Sequence, residues 1–88
     1  MTEEAKKEDN RIGVAAVIVE DPESAREVNE VLHNFSGLIV GRLGIPYRER
    51  GVSVISLVLD GVPDQISALT GKLGKIKSVT VKAAMSKK

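Results

Sequence analysis

The chain has 88 residues, a length that favours one domain with a modest core. Its formal net charge is +1 at pH 7 and its aromatic residues are one Phe and one Tyr, so the composition argues against binding nucleic acid by a basic surface or by stacked rings. The sequence has no cysteine, which excludes disulfides, thiolate metal sites and cysteine nucleophiles within this chain.

The N-terminal sequence MTEEAKKEDN is polar and mixed in charge, without the apolar stretch of a signal peptide. We expect residues 1–10 to be a disordered tail and residues 11–85 to form a single domain. The longest apolar run, Val14 to Val19, is too short to cross a bilayer. These features predict a cytoplasmic protein without a membrane segment.

Residues 11–20, RIGVAAVIVE, are typical of a strand because they are rich in β-branched side chains and lack proline. Both faces of this strand are apolar, so both are expected to be covered. Asp21 and Pro22 then favour the start of a helix, as N-cap and first helical residue. Helical spacing predicts one apolar stripe, formed by Ala25, Val28, Val31, Leu32 and Phe35. Gly37 is expected to follow this helix as its C′ glycine.

A second strand is predicted over residues 38–47. Its alternation places Ile39, Leu43 and Ile45 on one face and Val40, Arg42 and Gly44 on the other. Pro46 has no N–H to donate, which favours an edge position in the sheet. The polar turn YRERG leads into a third, strongly apolar strand over residues 52–60, so these two strands predict a hairpin.

The segment DGVPDQISALTGKLG predicts a second helix, with Ile66, Leu69 and Leu73 on its buried side and Gly74 at its end. Gly71 lies inside this helix, where glycine costs about 1 kcal/mol relative to alanine, so we expect close packing at that point. Residues 77–84 predict the last strand, in which Val79, Val81 and Ala83 point inward.

The element order βαββαβ predicts an α+β, ferredoxin-like sandwich. Right-handed crossovers place both helices on one face of a four-stranded antiparallel sheet with strand order 4-1-3-2. The other face of the sheet then keeps the apolar residues of the first and third strands, and large exposed apolar areas usually mark interfaces. We therefore expect a homo-oligomer, either a dimer or a tetramer, formed by stacking sheet faces, by pairing sheet edges, or by both.

His33 is the only histidine and falls in the last turn of the first helix, near its solvent side. One interpretation is a helix-terminal histidine that interacts with the helix dipole. The other is that His33 and Asn34 contact a ligand at a subunit interface. A metal site within one chain is not expected, because it would need further His or Cys ligands. A symmetric site that shares His33 from several subunits stays open.

Arg42 lies in the middle of the second strand, on the same face as Gly44. It is either an edge-strand charge that opposes aggregation or a clamp for a carboxylate or phosphate, whose geometry a guanidinium matches. Gly44 allows a ligand to approach the backbone. The candidate ligand-binding residues are His33, Asn34, Arg42, Gly44 and Tyr47.

The chain is not expected to be an enzyme, because one histidine without a nucleophile elbow makes no Ser-His-Asp arrangement. The alternative is a small acylphosphatase-like enzyme of the same fold. That family places a glycine-rich loop with an arginine after the first strand, where this sequence has EDPESAR.

Three short segments, HNF at 33–35, GRLGIP at 41–46 and GKLG at 71–74, carry a resemblance that extends from about Gly13 to Lys82. They resemble the small regulators of the iron-only hydrogenase system, which are ferredoxin-like proteins related in shape to ACT domains. The resemblance implies an oligomeric, ACT-like, ligand-sensing regulator of transcription or maturation in that system, with a small-molecule effector.

The resemblance extends in shape to the effector domain of nickel-responsive repressors, which bind nickel through several His and a Cys. This chain has one His and no Cys, so nickel sensing does not carry over. It also has no helix-turn-helix, so direct binding to nucleic acid is not expected. The alternative function is a non-catalytic subunit that docks on an enzyme or maturation factor.

Overall fold

The computed structural model describes residues 9–87, so residues 1–8 of the predicted tail and residue 88 lie outside the described part of the chain. The main elements are β1 (Arg11–Val19), α1 (Ala25–Asn34), β2 (Ile39–Tyr47), β3 (Val52–Gly61), α2 (Pro63–Gly74) and β4 (Val79–Met85). Short 3-10 helices occupy Pro22–Ser24, Ser36–Leu38 and Arg48–Arg50. None of the helices within residues 9–87 has the length and apolar character needed to span a bilayer.

The four strands form one antiparallel sheet in the order β2-β3-β1-β4, which confirms the predicted topology and the ferredoxin-like α+β class. β1 is central, since Val17 pairs with Ile55 of β3 on one side and with Val81 of β4 on the other. β2 is an edge strand, as Pro46 predicts. Proline has no N–H to donate to a second neighbouring strand, and an edge strand has only one neighbour.

The core lies between the helices and one face of the sheet. α1 contributes Val28 and Leu32, which are buried. Val31 and Phe35 of the predicted stripe are partly buried and pack against the core, and Ala25 is half-buried. α2 contributes Ile66, Leu69 and Leu73, also as predicted. The sheet supplies alternate residues of its two central strands, namely Ala15, Val17, Val19, Ile55, Leu57 and Leu59.

Asp21 and Pro22 begin a helical segment as predicted, but this segment is a 3-10 helix and α1 itself begins at Ala25. Two glycines also differ from the prediction. Asp21 caps the short helix Pro22–Ser24 by accepting a 3.0 Å hydrogen bond from the N–H of Glu23. Gly37 does not adopt the left-handed conformation of a C′ glycine. Close packing at Gly71 is also a wrong prediction, because a Cβ built there meets no atom within 4 Å.

β2 contains a bulge that changes its two faces. Ile39 pairs with Leu59 and Gly41 pairs with Val58, so Val40 is an extra residue in the edge strand. Paired residues point to the same side, and Leu59 is buried under the helices, so Ile39 points to the helices together with Arg42 and Gly44. The prediction that Ile39 shares a face with Leu43 and Ile45 is therefore wrong, whereas Arg42, Leu43, Gly44 and Ile45 keep their predicted sides.

The side of the sheet away from the helices, here called the open face, carries side chains from every strand. Its large apolar residues are Ile12, Val14 and Ile18 of β1, Val54 and Val58 of β3, and Leu43, Ile45 and Tyr47 of β2. β4 adds Thr80, Lys82 and Ala84. The sequence prediction that β1 and β3 are apolar on both faces is confirmed.

Candidate functional site

A cavity of about 230 Å³ lies between α1 and the helix-facing side of β2 and β3. Its residues are Val19, Ala25, Val28, Asn29, Arg42, Gly44, Ile45, Pro46, Ser53 and Ile55. The space is open because Gly44 has no side chain: a Cβ built there would contact only the Cγ1 atom of Ile55, at 3.8 Å. A ligand can therefore approach the backbone of the edge strand at this point.

The bulge at Val40 determines which side chains of β2 face this cavity. After the bulge, Arg42 pairs with Leu57 and Gly44 pairs with Ile55, two residues whose side chains are buried beneath the helices. The side chain of Arg42 therefore points to α1, and the position of Gly44 lies on the same side of the strand. The structure thus brings together the two central candidates of the sequence prediction.

Arg42 is held across the cavity by α1. Its Nη2 atom donates a 3.1 Å hydrogen bond to Oδ1 of Asn29. Asn29 is uncharged, and no Asp or Glu within residues 9–87 forms an ion pair with this guanidinium. A guanidinium has several further N–H donors in a planar fork, so Arg42 keeps the capacity to bind an anion after this contact.

The charge of the cavity is positive, because Arg42 is the charged member among its lining residues. The other lining groups are aliphatic side chains, the amide of Asn29 and the hydroxyl of Ser53. A few polar groups in an otherwise apolar lining are typical of sites for small organic ligands. This arrangement suits a ligand with one anionic group and a small apolar or polar body.

His33 and Asn34 lie beside the cavity and not within it. They line an open depression along α1 together with Arg26, Asn29 and Glu30. Asn29 borders both spaces, so the depression and the cavity are neighbours on the same flank of α1. The predicted candidates of α1 and of β2 are therefore close in the fold but contribute to adjoining parts of one surface.

Tyr47 is placed apart from this site. It pairs with Val52 and alternates with Pro46, so it belongs to the open face of the sheet. Within residues 9–87, no group of three or more His, Cys, Asp or Glu side chains is arranged to hold a metal ion.

The sequence reasoning missed Asn29, which is the residue that orients Arg42. One signal was present, because Asn29 precedes His33 by four residues and so lies on the same side of the helix. It also missed Ser53, whose position opposite Pro46 depends on the strand register.

The model of the TM1266-like family, described as "Iron-only hydrogenase system regulator, putative", matches residues 11–83. The structure of the uncharacterized protein TM1266 from Thermotoga maritima is similar, with 46% identity and a TM-score of 0.85. That similarity covers 89% of this chain and 99% of the Thermotoga chain. No curated protein matches the chain.

Two more distant structures share the fold alone. The ACT domain from GTP pyrophosphokinase of Chlorobium tepidum is 20% identical with a TM-score of 0.70, covering 85% of this chain and 99% of that domain. A structure described as a "putative glycine cleavage system transcriptional repressor" is 13% identical with a TM-score of 0.63, covering 90% of this chain and 47% of that one. The ACT-like architecture is thereby confirmed.

Proposed function

Because this chain belongs to the TM1266-like family of iron-only hydrogenase system regulators, we propose that it is the effector-binding unit of a homo-oligomeric regulator in that system. The observation that carries the proposal is the cavity between α1 and β2, in which Asn29 orients Arg42 and no carboxylate of residues 9–87 pairs with it. A regulator needs a site whose occupancy changes with the concentration of a signal, and this cavity offers such a site.

The effector is a small carboxylic acid. A carboxylate accepts two parallel hydrogen bonds from one guanidinium, and such charge-assisted pairs are among the stronger contacts that proteins make. The aliphatic walls formed by Val28 and Ile55 favour a short apolar or weakly polar body attached to that carboxylate. The volume of about 230 Å³ is below that of typical drug-sized sites, which supports a molecule the size of an amino acid or a short oxo acid.

Binding at this cavity can reach other surfaces through β2. Arg42 and Gly44 face the cavity, whereas Leu43 and Ile45 alternate with them and face the open side of the sheet. A ligand that orders β2 therefore changes the free energy of contacts on both sides of the same strand. This gives effector binding a route to the assembly or to a partner protein.

The experiment is a thermal-shift screen of the proteinogenic amino acids and of short mono- and dicarboxylic acids, followed by calorimetric titration of each acid that raises Tm. We expect at least one acid to bind the wild-type chain. Arg42→Gln should weaken that binding about 10-fold to 100-fold, since it removes the charged fork and keeps much of the side-chain volume. Gly44→Leu should abolish binding by filling the cavity.

Lys72→Gln is the matched control, because it removes one exposed positive charge from α2, away from the cavity. It should leave the affinity unchanged. The proposal fails if none of the acids changes the Tm of the wild-type chain, or if Arg42→Gln binds as tightly as Lys72→Gln. A non-catalytic docking subunit would then be the better explanation.

A further inference from the structure

The open face is a largely apolar surface that residues 9–87 leave uncovered. Its eight large apolar side chains are between 37% and 63% exposed. We propose that a second copy of this chain covers it, in a two-fold dimer whose sheets pack face to face. This inference is independent of the ligand proposed for the cavity.

The area of the open face is sufficient for such a dimer. Nine residues of β1 extend about 30 Å, and four strands at ~4.8 Å spacing span roughly 15–20 Å. Each copy thus offers a face of about 500 Å² before side-chain relief is added, and two copies together reach about 1,000 Å² or more, near the lower bound of stable interfaces.

The charge on the open face favours a second copy over an acidic partner. Asp60 of β3 and Lys82 of β4 are its charged members within the strands, one of each sign and both at its margin. Phosphate-rich partners select clusters of Lys and Arg, and this face has none. The centre of the open face is nearly neutral and largely apolar, with the small hydroxyl of Ser56 between Ala16 and Leu43. Such a centre with a polar margin is typical of interfaces between copies of a protein.

The edge of β2 argues against the alternative in which two copies extend one sheet through this strand. The bulge at Val40 interrupts its ladder, and Pro46 has no N–H to offer another strand. Both features are known protections of edge strands. Association through this edge is therefore disfavoured, whereas the open face has no comparable protection.

The relief of the open face is self-complementary. The β2 side projects further from the sheet because it carries the large side chains of Leu43, Ile45 and Tyr47. The β4 side projects less because Thr80 and Ala84 are small. Lys82 can lay its aliphatic stem along an apolar neighbour and keep its charge in water. A two-fold axis parallel to the strands, between β1 and β3, places the β2 side of each copy on the β4 side of the other.

This axis also predicts which residues meet. Ile45, Val54, Ile18 and Thr80 form one row across the sheet through successive pairings. Rotation about the axis exchanges the two ends of the row, so Ile45 of one copy lies over Thr80 of the second copy. Within one copy these two positions are three strand spacings apart, about 14 Å.

The first test measures molar mass by light scattering and the dissociation constant by sedimentation equilibrium. We expect the wild-type chain to be a dimer and Val58→Lys to weaken association about 100-fold or more, because a charge would be buried at the centre of the interface. Val58 is 40% exposed, so a charge there can be solvated in the single chain and circular dichroism should be unchanged. The control is Ala68→Lys, on the exposed side of α2.

The second test uses the absence of cysteine from the sequence. The double variant Ile45→Cys/Thr80→Cys, treated with a bismaleimide shorter than the separation within one copy, should give a covalent dimer. Glu27→Cys/Ser67→Cys, on exposed helix positions, should not. A monomeric wild-type chain, or association that survives Val58→Lys, overturns the proposal, and failure of the first pair to cross-link overturns its two-fold arrangement.

Discussion

The hydroxyl of Ser24 donates a 2.7 Å hydrogen bond to the carbonyl oxygen of Lys77, which connects the start of α1 to the start of β4. Ser24 is 7% exposed, so water cannot replace this contact freely. Ser24→Ala should therefore lower the free energy of unfolding by about 1–2 kcal/mol, since it removes a part-buried hydrogen bond made by a buried hydroxyl. Urea denaturation of both proteins measures the difference.

Ser67→Ala is the control for that experiment, because Ser67 is exposed on α2. Its effect should stay within about 0.5 kcal/mol. Equal effects of the two substitutions would contradict the role of Ser24 as a connection between the two halves of the fold.

Gly61 and Gly71 should respond in opposite directions to alanine. A Cβ at Gly61 would lie 2.7 Å from Cδ2 of Leu38, which is buried, so Gly61→Ala should lower the free energy of unfolding by about 1 kcal/mol or more. A Cβ at Gly71 meets nothing within 4 Å, so Gly71→Ala should raise it by about 0.5–1 kcal/mol through helix propensity. Thermal unfolding of the two variants gives the signs directly.

Arg42 and Asn29 should matter for ligand binding and hardly at all for stability. Their hydrogen bond is exposed, so Arg42→Ala and Asn29→Ala should each change the free energy of unfolding by less than about 0.5 kcal/mol. Both variants should nevertheless bind a carboxylate effector more weakly than the wild-type chain. A large loss of stability in either variant would indicate a structural role in place of a binding role.

The sequence was sufficient to predict the element order and the apolar sides of both helices, because each depends on local periodicity. The strand order then followed from the element order and the right-handedness of the crossovers. Val28 and Leu32 recur at helical spacing, and Val17 and Val19 alternate with the period of a strand. These patterns are strong in a core built almost entirely from aliphatic side chains. The existence of an uncovered apolar face could also be predicted, because two helices cover only one side of a sheet whose central strands are apolar on both.

The candidate site was predicted less completely, because it depends on register. Arg42 and Gly44 were assigned to one face correctly, but the bulge at Val40 moved Ile39 to their side. A bulge depends on pairing with the neighbouring strand, and the sequence of β2 offers only Gly41 as a signal of it. The contact of Arg42 with Asn29 depends on how α1 crosses β2, which no local pattern encodes.

Two positions with positive φ should also respond in opposite directions. Ser78 has φ 63° immediately before β4, where its carbonyl oxygen accepts a 2.8 Å hydrogen bond from the N–H of Glu20. The left-handed conformation costs a residue with a Cβ roughly 1–2 kcal/mol, so Ser78→Gly should raise the free energy of unfolding by up to about 1 kcal/mol. Gly51 has φ 69°, so Gly51→Ala should lower the free energy of unfolding by about 1 kcal/mol. A stabilising Gly51→Ala would contradict this assignment.

Deletion of Val40 tests the bulge itself. Removing a residue from a strand normally turns the side chains on one side of the deletion to the opposite face. Val40 is the extra residue of β2, so its deletion should restore regular pairing and leave Ile39, Arg42 and Gly44 on their present side. We expect a folded protein with native circular dichroism and a cooperative thermal transition. Deletion of Ser56, which is exposed on the central strand β3 but paired on both sides, should prevent folding, because it turns buried leucines to solvent.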